Sequence, residues 1–133
     1  MAATIETLHL RTSEDVVSVR RRVRAMAERE GLKLIDQTKL VTAASELARN
    51  TVIYGGGGTV LIEAVEDGLR RGVRLTFEDN GPGIANVDLA MKDGYTTGGG
   101  LGMGLSGSKR LCNEFQIWSQ PGQGTRVSVT RWR

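Results

Sequence analysis

Apolar residues in this chain change period several times, and each change marks an element. From Thr4 to Leu10, the residues Ile5, Leu8 and Leu10 alternate with Glu6, Thr7 and His9, the pattern of a short strand. Ser13 then opens a helix, with Glu14 and Asp15 in a first turn where acids suit the dipole. Val16, Val19, Val23, Met26 and Ala27 recur at helical spacing until Gly31 ends the run. A second helix is predicted from Asp36, with Leu40, Ala43, Ala44, Leu47, Ala48 and Thr51 inward. It stops at Tyr54-Gly55-Gly56-Gly57-Gly58, where four consecutive glycines break the helical pattern.

Period-two alternation then returns. Val60, Ile62 and Ala64 define a strand from Thr59 to Glu66, and Val73, Leu75 and Phe77 a second from Val73 to Glu78. Asp67 to Gly72 joins them as a hairpin connection. A short helical turn is expected between Ile84 and Asp93, and a helix from Gly104 to Leu111 with Leu105 and Leu111 inward. Phe115 to Ser119 and Thr125 to Trp132 alternate again around the turn Gln120-Pro121-Gly122-Gln123-Gly124. Paired hairpins with the helices gathered elsewhere predict an α+β two-layer sandwich. Its sheet is mixed, mostly antiparallel, with helices on one face. A doubly wound sheet would alternate strand and helix throughout. The 133 residues are read as a single domain, 1–133.

Composition narrows the function classes. With 39% apolar and 25% charged residues the chain has the make-up of an ordinary soluble globule. No apolar run reaches bilayer length, and the first residues lack a secretion signal, so a cytoplasmic setting without a membrane is expected. A net charge of +3 does not argue for nucleic acid. Arg20, Arg21, Arg22 and Arg24 do cluster, but on a helix that also carries Glu14, Asp15, Glu28 and Glu30. That is the make-up of a solvated helix face, with a docking surface for an acidic protein as the sharper alternative. Two Phe, two Trp and two Tyr leave few stacking platforms for single strands. The lone Cys112 reads as a small, partly buried hydrophobe.

The candidate chemistry begins in the second helix, at Ser45-Glu46-Leu47-Ala48-Arg49-Asn50. Glu46 and Asn50, four residues apart, project from one helical face. A carboxylate and an amide held there can prepare a hydroxyl nucleophile and ligate a metal ion. Asp79-Asn80-Gly81-Pro82-Gly83 follows an apolar strand directly. An aspartate at a strand end can accept the exocyclic amine of a purine, with Gly81 and Gly83 letting the ring lie close to backbone. Between Gly98 and Gly104, five glycines in seven positions lead straight into a helix, so bare backbone can close round phosphate oxygens. Gly102-Met103-Gly104-Leu105-Ser106-Gly107 spells the dinucleotide pattern G-x-G-x-x-G. However, no buried strand precedes it, and Gly122 stands where an acid is needed. A P-loop is absent too, since no lysine follows a glycine.

Taken together, these motifs resemble the GHKL, or Bergerat-fold, ATP-binding superfamily. Glu46-x-x-x-Asn50 is similar to its N-box, Asp79-x-Gly81-x-Gly83 to its first glycine box, and Gly98 to Gly104 to its second. Gly122-x-Gly124-Thr125 resembles its last motif. Within the superfamily the chain looks like the small anti-sigma and stressosome-type switch serine/threonine kinases. The resemblance implies ATP and Mg²⁺ as cofactors, Asn50 as the metal ligand, and Asp79 reading adenine with help from Thr125. It implies that Gly81, Gly83, Gly98, Gly99, Gly100, Leu101, Gly102, Met103 and Gly104 enclose the nucleotide. Glu46 would then orient or deprotonate the acceptor hydroxyl. Expected partners are a STAS-domain antagonist as substrate and a PP2C-type phosphatase that the kinase activates. The alternative is an anti-sigma-like, nucleotide-dependent binding module that sequesters a sigma factor. Two departures stand out. Ser106 occupies a position where the subtype commonly has proline, and the segment from Asp93 to Gly98 is shorter than the lid of anti-sigma kinases. A histidine-kinase reading fits poorly, because His9 is the sole histidine and falls in a predicted strand.

Overall fold

The structure is a computed structural model that describes residues 5–92 and 105–133. Strand β1 (Ile5–Leu10) leads into helices α1 (Ser13–Arg29) and α2 (Leu34–Ile53). Next come β2 (Gly58–Asp67), β3 (Arg70–Asp79), the short α3 (Val87–Ala90) and α4 (Leu105–Leu111). β4 (Glu114–Gln120) and β5 (Gly124–Trp132) complete the chain. The five strands form one sheet in the order β1-β2-β3-β5-β4, and every neighbouring pair is antiparallel. This is the α+β layering that the periodicity predicts.

Alternation decides which side chains face the helices. Leu10 of β1, Val60 and Ile62 of β2, Val73, Leu75 and Phe77 of β3, and Val127 and Val129 of β5 are buried on one face. Val19, Val23 and Met26 of α1, and Leu40, Ala44, Leu47 and Ala48 of α2, complete the same cluster. Full burial of one such valine or leucine is worth about 1.5–3 kcal/mol, and this cluster fixes the sheet register. The small residues Ala43, Ala44 and Ala48 of α2 are all buried at the centre of the helical layer.

Local detail departs from the sequence reading at several points, and in α4 Leu111, expected inward, is only half-buried while Ser108 is buried beside Leu105. Ile5 is 54% exposed, because the inward positions of β1 are Glu6, Leu8 and Leu10, and Glu6 pairs with Arg22 of α1. Helix α2 starts at Leu34 rather than Asp36, and its first residues, Leu34 and Ile35, face solvent, so the buried stripe does not reveal them. The β2–β3 connection is only two residues, Gly68 and Leu69. Gly68 takes a φ of +61° at the first central position, where a II′ hairpin turn places glycine. At the start of α1, the Asp15 carboxylate accepts the backbone N–H groups of Arg11 and Thr12, which holds its pKa below the usual value.

One half-buried ion pair ties the layers together. Arg131 of β5 donates twice to Asp36 Oδ1 of α2, at 2.6 and 3.1 Å, and once to the Leu111 carbonyl that ends α4, at 3.1 Å. Both side chains are under one-fifth exposed. Arg131→Met leaves a carboxylate and a carbonyl without their donor. It should lower unfolding stability by about 2 kcal/mol, less than a fully buried pair because some solvent reaches the site. A urea midpoint that falls with an unchanged denaturant slope would show this, whereas an unmoved midpoint would make the pair energetically neutral.

Candidate functional site

The site lies where α2 ends, β3 ends and the β4–β5 turn meets them. Helix α2 closes with the Asn50 carbonyl accepting the N–H groups of Tyr54 and Gly55, at 2.9 and 3.1 Å. The chain then passes against the end of β3. A Cβ on Gly55 would fall 2.4 Å from Asp79 Cγ, and one on Gly81 would fall 2.7 Å from the Gly55 carbonyl oxygen. Gly55 backbone thus packs against the Asp79 side chain on one side and the Gly81 backbone on the other, and glycine at both positions is what permits the approach.

Asp79 shares the parity of Val73, Leu75 and Phe77, so its side chain points toward the helices. Strand register sets it beside Thr125 of β5, and Thr125 beside Ser119 of β4. Asp79 Oδ1 accepts the Gly81 N–H at 2.9 Å, and the carboxylate also receives the Thr125 N–H. Burial nevertheless holds the Asp79 carboxyl above the ordinary carboxylate range, with the charge of Glu78 adding to the rise and the two N–H groups opposing it.

The following loop is laced to the β4–β5 turn. Ile84 N–H donates to Ser119 Oγ at 2.8 Å, and Gly122 N–H donates to the Pro82 carbonyl at 2.7 Å. Gly83 adopts a φ of +75°, and a Cβ there would lie 2.0 Å from the Gln120 carbonyl oxygen.

These pieces enclose a pocket. Of the residues singled out in the sequence, Asn50, Asp79, Gly83 and Thr125 line it. Gly81 stands just behind, shaping Asp79. Glu46 sits one turn before Asn50 on α2, outside the lining, with its carboxylate 3.5 Å from the Arg49 guanidinium and about a third exposed. Gly98, Gly99, Gly100, Leu101, Gly102, Met103 and Gly104 lie outside the described residues. The apolar floor carries no sequence motif: it is Leu47, Phe77, Ile84, Leu105 and Val127, with Tyr54 at the end of α2. Periodicity marks the floor residues only as core, because a core position and a pocket floor carry the same apolar signal. The pocket therefore combines an apolar lining with the neighbouring Asp79 carboxylate and Thr125 hydroxyl, groups able to accept from an exocyclic amine of a heteroaromatic ring.

Elsewhere, burial pushes the Cys112 thiol up to about 11, as an inert structural cysteine requires. Arg20, Arg21 and Arg24 line a groove beside Val17, Ala25 and Val41 on the outer face of α1 and α2. Among the described residues no cluster of three or more His, Cys, Asp or Glu side chains could hold a metal ion, and no helix is long and apolar enough to cross a membrane.

Residues 35–132 match the family of histidine kinase-, DNA gyrase B- and HSP90-like ATPases, and the chain belongs to that family. Among its relatives, the serine/threonine-protein kinase RsbT of Bacillus subtilis is 42% identical over 125 residues, 94% of each chain. An anti-sigma F factor of Clostridium kluyveri is 36% identical over 104 residues, 74% of this chain and 72% of the relative. By fold, the chain is similar to the crystal structure of the RsbU and RsbW domains of Rv1364c from Mycobacterium tuberculosis. The TM-score is 0.63 at 23% identity, covering 96% of this chain and 33% of that one. The mycobacterial sensor histidine kinase MprB aligns over 97% of both chains with a TM-score of 0.57 at 16% identity. The last two likenesses speak for the fold alone.

Proposed function

We propose that this chain is an ATP-dependent serine/threonine protein kinase of a partner-switching stress-response pathway, working in the cytoplasm. The observation that carries the reading is the 42% identity to RsbT along 94% of both chains. The pocket geometry supports it: an apolar slot ending in Asp79 and Thr125, walled by the helix that bears Glu46 and Asn50. The substrate is a serine or threonine of a STAS-domain antagonist, and the released kinase activates a PP2C-type phosphatase.

The roles follow from chemistry. Asp79 accepts the 6-amino group of adenine while Leu47, Phe77, Ile84 and Val127 sandwich the ring. Mg²⁺, when bound, neutralises charge on the phosphate oxygens. It keeps most of its waters and asks few protein ligands, so the single amide oxygen of Asn50 suits it better than a carboxylate cluster would. Glu46 accepts the proton of the attacking hydroxyl as its oxygen bonds to the γ-phosphorus and ADP departs. Phosphoryl transfer asks mainly for alignment, and a rigid four-residue spacing on one helix supplies it.

A second reading, a nucleotide-dependent module that sequesters a sigma factor, draws on the 36% identity to an anti-sigma F factor. Purified protein and Mg-ATP should yield phosphoserine or phosphothreonine on a STAS-domain protein from the same organism, read by mass spectrometry. Tight binding to a sigma factor with no phosphate transferred to any STAS protein would replace the first reading by the second.

A further inference from the structure

Ser119 has three polar neighbours and one proton to share among them. Its Oγ accepts from Ile84 N–H at 2.8 Å, donates to the Gly124 carbonyl at 2.9 Å, and lies 2.8 Å from Thr125 Oγ1. An amide N–H can only donate and a carbonyl can only accept, so these two partners consume the Ser119 proton and one lone pair. The second lone pair is left for the Thr125 proton. That assignment satisfies every atom of the group, and it leaves Thr125 Oγ1 with lone pairs alone toward the pocket it lines. Beside Thr125 in strand register stands the carboxylate of Asp79, also an acceptor when ionised. Thr125 and the ionised Asp79 therefore offer the pocket acceptors only.

We propose that Ser119, which does not itself line the pocket, is a positioning residue that sets base selectivity. By taking the Thr125 proton it keeps the end of the pocket complementary to the 6-amino group of a purine and repellent to a 6-oxo group at that position. The inference rests on the nucleotide reading above and adds to it a residue outside the ligand's reach. Without Ser119 Oγ, the Thr125 hydroxyl is free to turn its proton into the pocket, where it can donate to a 6-oxo group. The turn loses a brace, but the selectivity changes for a separate reason.

The test is calorimetric titration of the full chain with Mg-ATP and Mg-ITP, which present a 6-amino or a 6-oxo group and, with it, a bare or a protonated N1. The unaltered chain should prefer ATP, and Ser119→Ala should reduce the ATP-to-ITP preference by about tenfold, the effect of one rearranged hydrogen bond. Ser119→Thr, which keeps the hydroxyl, should restore the ratio. In a Thr125→Val background, adding Ser119→Ala should leave the ratio where Thr125→Val set it. Equal weakening of both nucleotides in Ser119→Ala, or a further ratio shift in the Thr125→Val background, overturns the proposal and leaves Ser119 a brace. Should Ser119→Ala not fold, Ser119→Cys, whose thiol donates and accepts only weakly, must shift the ratio in the same direction; a ratio like that of the unaltered chain overturns it equally. If the unaltered chain binds neither nucleotide, the nucleotide reading fails; if it selects ATP and the variants do not alter that, only the role of Ser119 fails.

Discussion

Asp79→Asn should weaken ATP binding by about 30- to 100-fold. The Asp79 carboxylate accepts the N–H groups of Gly81 and Thr125 and still faces the pocket. An amide turns one of its two acceptor oxygens into a donor. Whichever way that amide is placed, its NH₂ confronts a backbone N–H or the adenine amine. One charge-assisted bond lost and one polar mismatch gained amount to about 2–3 kcal/mol. Calorimetry with Mg-ATP reads this directly, and affinity like that of the unaltered chain would remove Asp79 from base recognition. Stability without nucleotide should hold or rise, since the substitution removes a carboxylate that burial already disfavours.

The same carboxylate gives two pH dependences of opposite sign. Its folded-state pKa is raised above 3.8, so between 3.8 and that raised value the folded chain holds a proton that the unfolded chain has released. Stability from this group therefore increases as pH falls through that interval. Nucleotide affinity runs the other way, because the ionised form is the acceptor. Below the raised pKa it should drop by up to about tenfold per pH unit. Asp79→Asn should flatten that acid limb, which thermal melts and titrations at matched pH separate.

How much of this was legible in the sequence depends on what each position owes to its neighbours in the chain. The layering was legible because Val60, Ile62, Val73, Leu75 and Phe77 alternate cleanly and α2 carries an unbroken buried stripe from Leu40 to Thr51. Asp79, Gly81 and Gly83 stand in a short local motif where chemistry or conformational freedom shows, and Thr125 is marked only by the family resemblance; the fold brings Asp79, Gly83 and Thr125 to one pocket. Ser119 was not legible. Its importance comes from β4–β5 register and from a loop 35 residues away. The exposed start of α2 hid for a related reason: Leu34 and Ile35 are apolar but face solvent, so helical periodicity has nothing to record there.

Glu46 is where catalysis should separate from binding. It lies outside the pocket lining, one helical turn from Asn50, and its carboxylate is held near Arg49 rather than buried. Glu46→Ala should therefore leave ATP affinity within about twofold of the unaltered chain. Phosphoryl transfer to the protein substrate should fall by about 10²–10⁴-fold, the usual contribution of a positioned general base. Glu46→Gln keeps the shape and polarity of the side chain but cannot take up the hydroxyl proton at neutral pH, so it should be nearly as slow. If Glu46→Gln transferred phosphate at close to the full rate, the carboxylate would serve only to orient the acceptor. If both variants did, the proton would leave by way of water. Single-turnover transfer from radiolabelled ATP, with binding measured in parallel, distinguishes these cases because loss of affinity and loss of chemistry then appear in different observables.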